Sequence, residues 1–153
     1  MNKTELYSNK LIMELPEGFD CMNEEEIIKY FSNHKFDYSF ISREKNSVIG
    51  VFVNDTPLGS DKVDERINQY YATYSRMTPG FVMGEMKIKP SDDVSIAMFS
   101  FKSNAPERDL FNIIAVANFL EKELFILASG DMKDVEALMP EFVKMIDKMK
   151  ICK

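Results

Sequence analysis

Histidine is nearly missing from this chain: His34 is the only one. A protein with one imidazole has few groups that exchange protons near neutral pH, so the sequence leans away from acid–base catalysis. Cysteine is almost as scarce. Cys21 and Cys152 lie near opposite ends; reduced thiols suit a cytoplasmic protein, and a disulfide between the two stays open. A Cys21–His34 nucleophile pair would need a third orienting group and an oxyanion hole, and the surrounding stretches mark neither. His34 reads instead as a surface-turn residue. One histidine and two separated cysteines also lack the paired spacing of a structural zinc site. The glycines are dispersed and form neither a Walker loop nor a dinucleotide fingerprint. No catalytic, cofactor-binding or metal-binding residue is therefore expected.

Two further absences concern the surroundings of the protein. No apolar run approaches the ~20 residues of a transmembrane helix, and the first seven residues lack the apolar stretch of a secretory signal. No Lys/Arg cluster exceeds two residues, and the net charge of -6 with pI ≈ 4.9 weighs against nucleic acid. The expectation is a cytoplasmic protein without membrane insertion.

What is present is an ordinary globular composition, 45% hydrophobic and 29% charged, in a length that fits one domain over residues 1–153. The stretch Val94–Gly130 reads as three consecutive antiparallel strands with apolar residues on both faces, which predicts a sheet covered on both sides. The short connection Glu121-Lys122 suits a hairpin. Before it come a hairpin around Ser8-Asn9-Lys10, a short helix over Glu24–Phe31, strands at Tyr38–Ser42 and Ser47–Asn54, a helix over Asp61–Met77 and a strand near Phe81–Ile88. Asn23 and Glu26 have the spacing of a capping box. Val63, Ile67, Tyr70, Tyr71, Tyr74 and Met77 recur at three and four residues, one apolar stripe of the longer helix. A last helix carries Val135, Leu138, Met139, Phe142, Ile146 and Met149, with Pro140 tolerable if the continuous helix begins close to it. The order ββ-α-ββ-α-ββββ-α describes an α+β domain, a mainly antiparallel twisted sheet flanked by helices.

With Leu15-Pro16-Glu17-Gly18-Phe19 before an acidic helix start, the Asn54-Asp55-Thr56-Pro57-Leu58 loop before a long amphipathic helix, and the final helix of Val135–Met149, the chain resembles the PsbP-like superfamily. The resemblance implies an α/β/α sandwich used for binding, generally without catalysis, in an uncharacterised cytosolic bacterial branch. Members bind different partners by different surfaces, so the fold alone selects none.

Candidate surfaces come from side-chain type. Tyr70 and Tyr71 diverge by about 100° around a helix, so one of them is expected at a groove edge. The chain holds 11 methionines; they suit either an adaptable groove or plastic core filling. Met145 reads as lying off the main stripe of the last helix, exposed beside Met149. Tyr70, Tyr71, Met145 and Met149 are thus the expected partner-binding residues. The function expected is a non-catalytic adaptor or chaperone-like module. It would hold an apolar segment of a protein or peptide on a sheet face or groove, a surface that would also serve a homodimer. The alternative is a small-molecule carrier or enzyme with a pocket between sheet and helix.

Overall fold

The computed structural model describes residues 2–32 and 35–152. Its strands are β1 (Asn2–Leu6), β2 (Leu11–Leu15), β3 (Asp20–Cys21), β4 (Tyr38–Ser42), β5 (Ser47–Pro57), β6 (Val82–Lys89), β7 (Ile96–Asn104), β8 (Asp109–Phe119), β9 (Lys122–Asp131) and β10 (Lys150–Ile151). Its helices are α1 (Glu24–Phe31), α2 (Val63–Met77) and α3 (Val135–Asp147). The expected order is present, with the two-residue strands β3 and β10 added to it.

Seven strands form the main sheet in the order β3-β4-β5-β9-β8-β7-β6, and every neighbouring pair is antiparallel. The N-terminal hairpin stands apart. β1, β2 and β10 make a second sheet with β2 in the middle. Alternation along each strand of the main sheet divides its apolar residues between two faces. Phe111, Ile113, Ala115 and Ala117 of β8 join Leu11, Met13 and Leu15 of β2 and Leu138, Phe142 and Ile146 of α3 in one core. Ile114 and Val116 point the other way, under α2, with Ala97, Phe99 and Phe101 of β7. α1 covers Ile41 and Val48 on that same side. The result is an α/β/α sandwich whose α3 layer is shared with the small sheet.

Local chemistry fixes several boundaries. Asn23 and Glu26 exchange hydrogen bonds at the start of α1, Glu26 N–H to Asn23 Oδ1 at 2.9 Å and Asn23 N–H to Glu26 Oε1 at 3.0 Å. The β8–β9 hairpin turns at Leu120-Glu121, one residue earlier than the sequence suggests, with φ of 50° and 67°. Both residues are left-handed, as a primed two-residue turn demands. Pro140 lies well inside α3; the separate turn is Met132–Asp134, and the helix runs on from Val135.

Three expectations about exposure change. Met145 is 1% exposed and Met149 8%. Seven residues on from Leu138 and three on from Phe142, Met145 falls on the inward stripe of α3 after all. The small sheet and the main sheet together bury it. At the end of α2 the stripe stops at Tyr74, and Met77, the last helical residue, is 76% exposed.

Candidate functional site

Where the α1 and α2 layers meet, the main sheet is left partly uncovered by helix. A cleft of about 320 Å³ opens there. Its floor comes from the strands: Phe52 of β5, with Phe125 and Leu127 of β9. Tyr70 and Tyr74 of α2 form one wall, and Phe36, between α1 and β4, forms the other. Phe36 owes its seat to Gly50. A Cβ built on Gly50 would stand 2.6 Å from the Phe36 ring, so only glycine allows the ring to lie on β5. Phe36 stacks with Phe125 at 6.5 Å, and Tyr70 meets Phe125 at 5.1 Å.

One end of the cleft is polar. Glu123, the second residue of β9, lies on the α2 side and is 0% exposed. Its carboxylate accepts from the Tyr70 hydroxyl at 2.5 Å, from the Asn54 amide directly across the strand pair, and from Arg66 one helical turn before Tyr70. Three donors from two elements therefore meet one buried acceptor. A buried charge is tolerated only when paired and hydrogen-bonded, and this one is. At the rim, the exposed Lys35 has no carboxylate partner among the described residues.

The tyrosine hydroxyls respond to this burial. Burial first, then the bond to Glu123, push the Tyr70 phenol well above its ordinary range. Burial alone raises Tyr74, and burial followed by the 2.5 Å bond to Asp37 raises Tyr7. The folded value exceeds the unfolded one, so this stabilisation is complete below pH ~10 and is lost as pH rises towards the folded value. A spectrophotometric titration should show these three of the six tyrosines ionising late, with stability falling from about pH 10 upward. Six tyrosines all ionising near pH ~10 in the folded protein would contradict this.

The four residues expected to bind a partner do not share one surface. Tyr70 lines the cleft. Tyr71 turns towards the far end of α2, against Phe81 at 5.9 Å and Phe99 at 5.8 Å. Met145 and Met149 are core on the opposite face of the sheet. The methionine-lined hollow that exists, also about 320 Å³, lies between α3 and β6–β7, with Met98, Met139 and Val143 inside and Lys87 at its mouth. A wider hollow of about 650 Å³ is acidic, with Asp61, Asp92, Asp93 and Glu121 around it.

His34 lies outside the described residues, and Cys21 is exposed in β3. Of the acidic run at the start of α1, Glu26 is engaged by Arg43 at 2.8 and 2.9 Å, which holds its carboxyl below the usual range. Among the described residues no group of three or more His, Cys, Asp or Glu is placed to hold a metal ion, and no helix is long and apolar enough to cross a membrane.

Sequence reasoning missed Glu123, Arg66, Asn54, Phe36 and Phe52 as site residues. The available signal was the pair Arg66 and Tyr70, four apart on one edge of the α2 stripe.

No family model and no curated protein sequence matches the chain. Solved structures do. The solution structure of cyanobacterial PsbP, CyanoP, from Synechocystis is similar at TM-score 0.68 and 9% identity, covering 99% of this chain and 92% of that one. LpqN of Mycobacterium tuberculosis, described as involved in cell envelope biogenesis, is similar at TM-score 0.64 and 9% identity, covering 99% and 90%. A protein of unknown function from Pseudomonas aeruginosa follows at TM-score 0.52 and 9% identity, covering 97% and 96%. Such identities speak for architecture, and the architecture agrees over nearly the full length of each chain: this protein has the PsbP-like fold.

Proposed function

We propose that the protein is a non-catalytic binding module of one domain that holds an apolar segment of a partner protein in the aromatic cleft between α1 and α2. The observation that carries this reading is the cleft itself. Phe36, Phe52, Tyr70, Tyr74, Phe125 and Leu127 present rings and a branched chain to solvent in a concave site. Large amphipathic rings give contact area at little entropic cost, which is what a peptide-binding groove uses. The volume stands at the small end of the ~300–1,000 Å³ typical of ligand pockets, enough for one or two large anchor side chains. Lys35 at the rim favours an acidic residue beside those anchors. Among the described residues, the one hydroxyl beside a carboxylate there, Tyr70 on Glu123, has a phenol pushed up by burial and a carboxylate already engaged by Asn54 and Arg66, which favours a structural role for the pair. Free thiols at Cys21 and Cys152 are compatible with a cytoplasmic setting.

A second reading has its own observation. Asn54, Tyr70 and Lys35 lie at the cleft with the apolar floor between them, the layout of a small-molecule carrier. One titration separates the two. The Leu127 methyl resonances are followed while adding a short peptide with two leucines, one phenylalanine and one aspartate, or separately decanoate. Saturable shifts with the peptide, weakened several-fold in Lys35→Glu, support the module. Saturation by decanoate with no response to the peptide would establish the carrier, and silence from both would remove the cleft as a binding site.

A further inference from the structure

The two edges of the main sheet are finished differently. At one end β3 is two residues long, and Arg43 donates to the Cys21 carbonyl at 3.2 Å. At the other end β6 runs for eight residues, no described strand pairs with its outer side, and every residue in it except Met86 is exposed. Val82 is 56% exposed, Met83 37% and Ile88 39%. A long edge with apolar side chains is a template for another strand.

Geometry restricts what a second copy can do there. Antiparallel pairing of β6 with itself, about a two-fold axis normal to the sheet, keeps each face on its own side. Directly opposed residues then share a face, so the axis must pass through a residue and not between two. The bulge between Met83 and Met86 breaks the alternation there, so the axis falls in the regular run 85–89, where charge decides; an axis at Lys89 opposes Lys89 to itself. An axis at Glu85 opposes Glu85 to itself, and one at Lys87 opposes Lys87 to itself. An axis at Ile88 sets Lys87 against Lys89. An axis at Met86 sets Glu85 against Lys87, twice. Glu85 and Lys87 are on the same side of the sheet, because both border the hollow over Met98.

We propose that β6 is a homodimerisation edge, pairing antiparallel with β6 of a second copy about a two-fold axis through Met86 and joining the two seven-stranded sheets into one. The lysines are already arranged for it. Lys87 lies 2.9 Å and Lys89 3.7 Å from the single carboxylate of Asp147. Asp147 Oδ1 has no hydrogen-bond partner among the described residues. When Lys87 turns to Glu85 of the second copy, Lys89 keeps Asp147 neutralised. The two lysines disfavour a strand that brings no acid opposite them, so the charge pattern selects the edge's own copy. The cleft lies across the sheet, over β5 and β9, and stays open in the dimer.

Sedimentation equilibrium of the full chain tests this. The expected result is a dimer that weakens as salt rises. Glu85→Lys turns both cross-pairs into Lys–Lys contacts and should weaken dimerisation at least about tenfold. Glu85→Lys combined with Lys87→Glu restores opposite charges and should recover the dimer. Lys87→Glu alone also opposes Asp147, so the Glu85→Lys arm decides, with circular dichroism confirming its fold. A monomer at all concentrations, or a dimer indifferent to Glu85→Lys, would overturn the assignment.

Discussion

Glu123→Ala should cost about 3 kcal/mol of folding stability in urea denaturation, near the low end of the ~3–5 seen when one partner of a buried ion pair is removed. The low end is expected because Arg66 is 22% exposed and recovers some water. The loss arises from what stays behind. The Tyr70 hydroxyl, the Asn54 amide and the Arg66 guanidinium all lose their common acceptor. Glu123→Gln keeps an acceptor oxygen and should lose less. Replacing both Glu123 and Arg66 by methionine removes the two charges together and should lose less than Glu123→Ala, the remaining loss coming from the Tyr70 hydroxyl and the Asn54 amide, which still lack their acceptor. A loss under ~1 kcal/mol for Glu123→Ala would mean that the network does not hold in solution.

Tyr74→Ala should cost about 2–4 kcal/mol, somewhat below the range for a fully buried ring. Tyr74 packs against Phe101 at 6.0 Å and Tyr70 at 6.4 Å, pinning the second half of α2 to the sheet. Truncation removes those contacts and widens the cleft. Tyr74→Phe isolates the ring from the hydroxyl; that hydroxyl has no hydrogen-bond partner among the described residues, so the variant should stay within ~0.5 kcal/mol of wild type. A loss well under ~1 kcal/mol for the alanine variant would place Tyr74 outside the core, and the stripe assignment of α2 would fail.

The elements that could be read from the sequence are those whose causes are local. The Asn23/Glu26 box spans three residues, and the α2 stripe repeats within one helix, so both show in a short window. The alternating apolar faces of β7 to β9 show in the same way. Glu123 does not, because its partners Asn54, Arg66 and Tyr70 are 69, 57 and 53 residues away. A glutamate at a strand start beside a turn has the look of a solvated residue until the register of β5 on β9 brings Asn54 opposite. Phe36 is similar: its seat exists because Gly50, on another strand, has no side chain. Met145 was misjudged for a different reason. Its spacing from Leu138 and Phe142 already places it inward, and the second sheet that closes over α3 is invisible to helical periodicity.

That second sheet also sets a timetable for folding. β2 pairs with β1 immediately before it, yet its other edge waits for β10, with Leu11 against Ile151 and Ile12 against Lys150. Contacts between residues so far apart in sequence form slowly, and a lone two-stranded hairpin is marginal in water. On the ribosome, Leu11, Met13 and Leu15 are therefore made early but secured late, after the strands they cover already exist. The middle strand β2 is closed on one side by its neighbour in sequence and on the other by a strand made long after it.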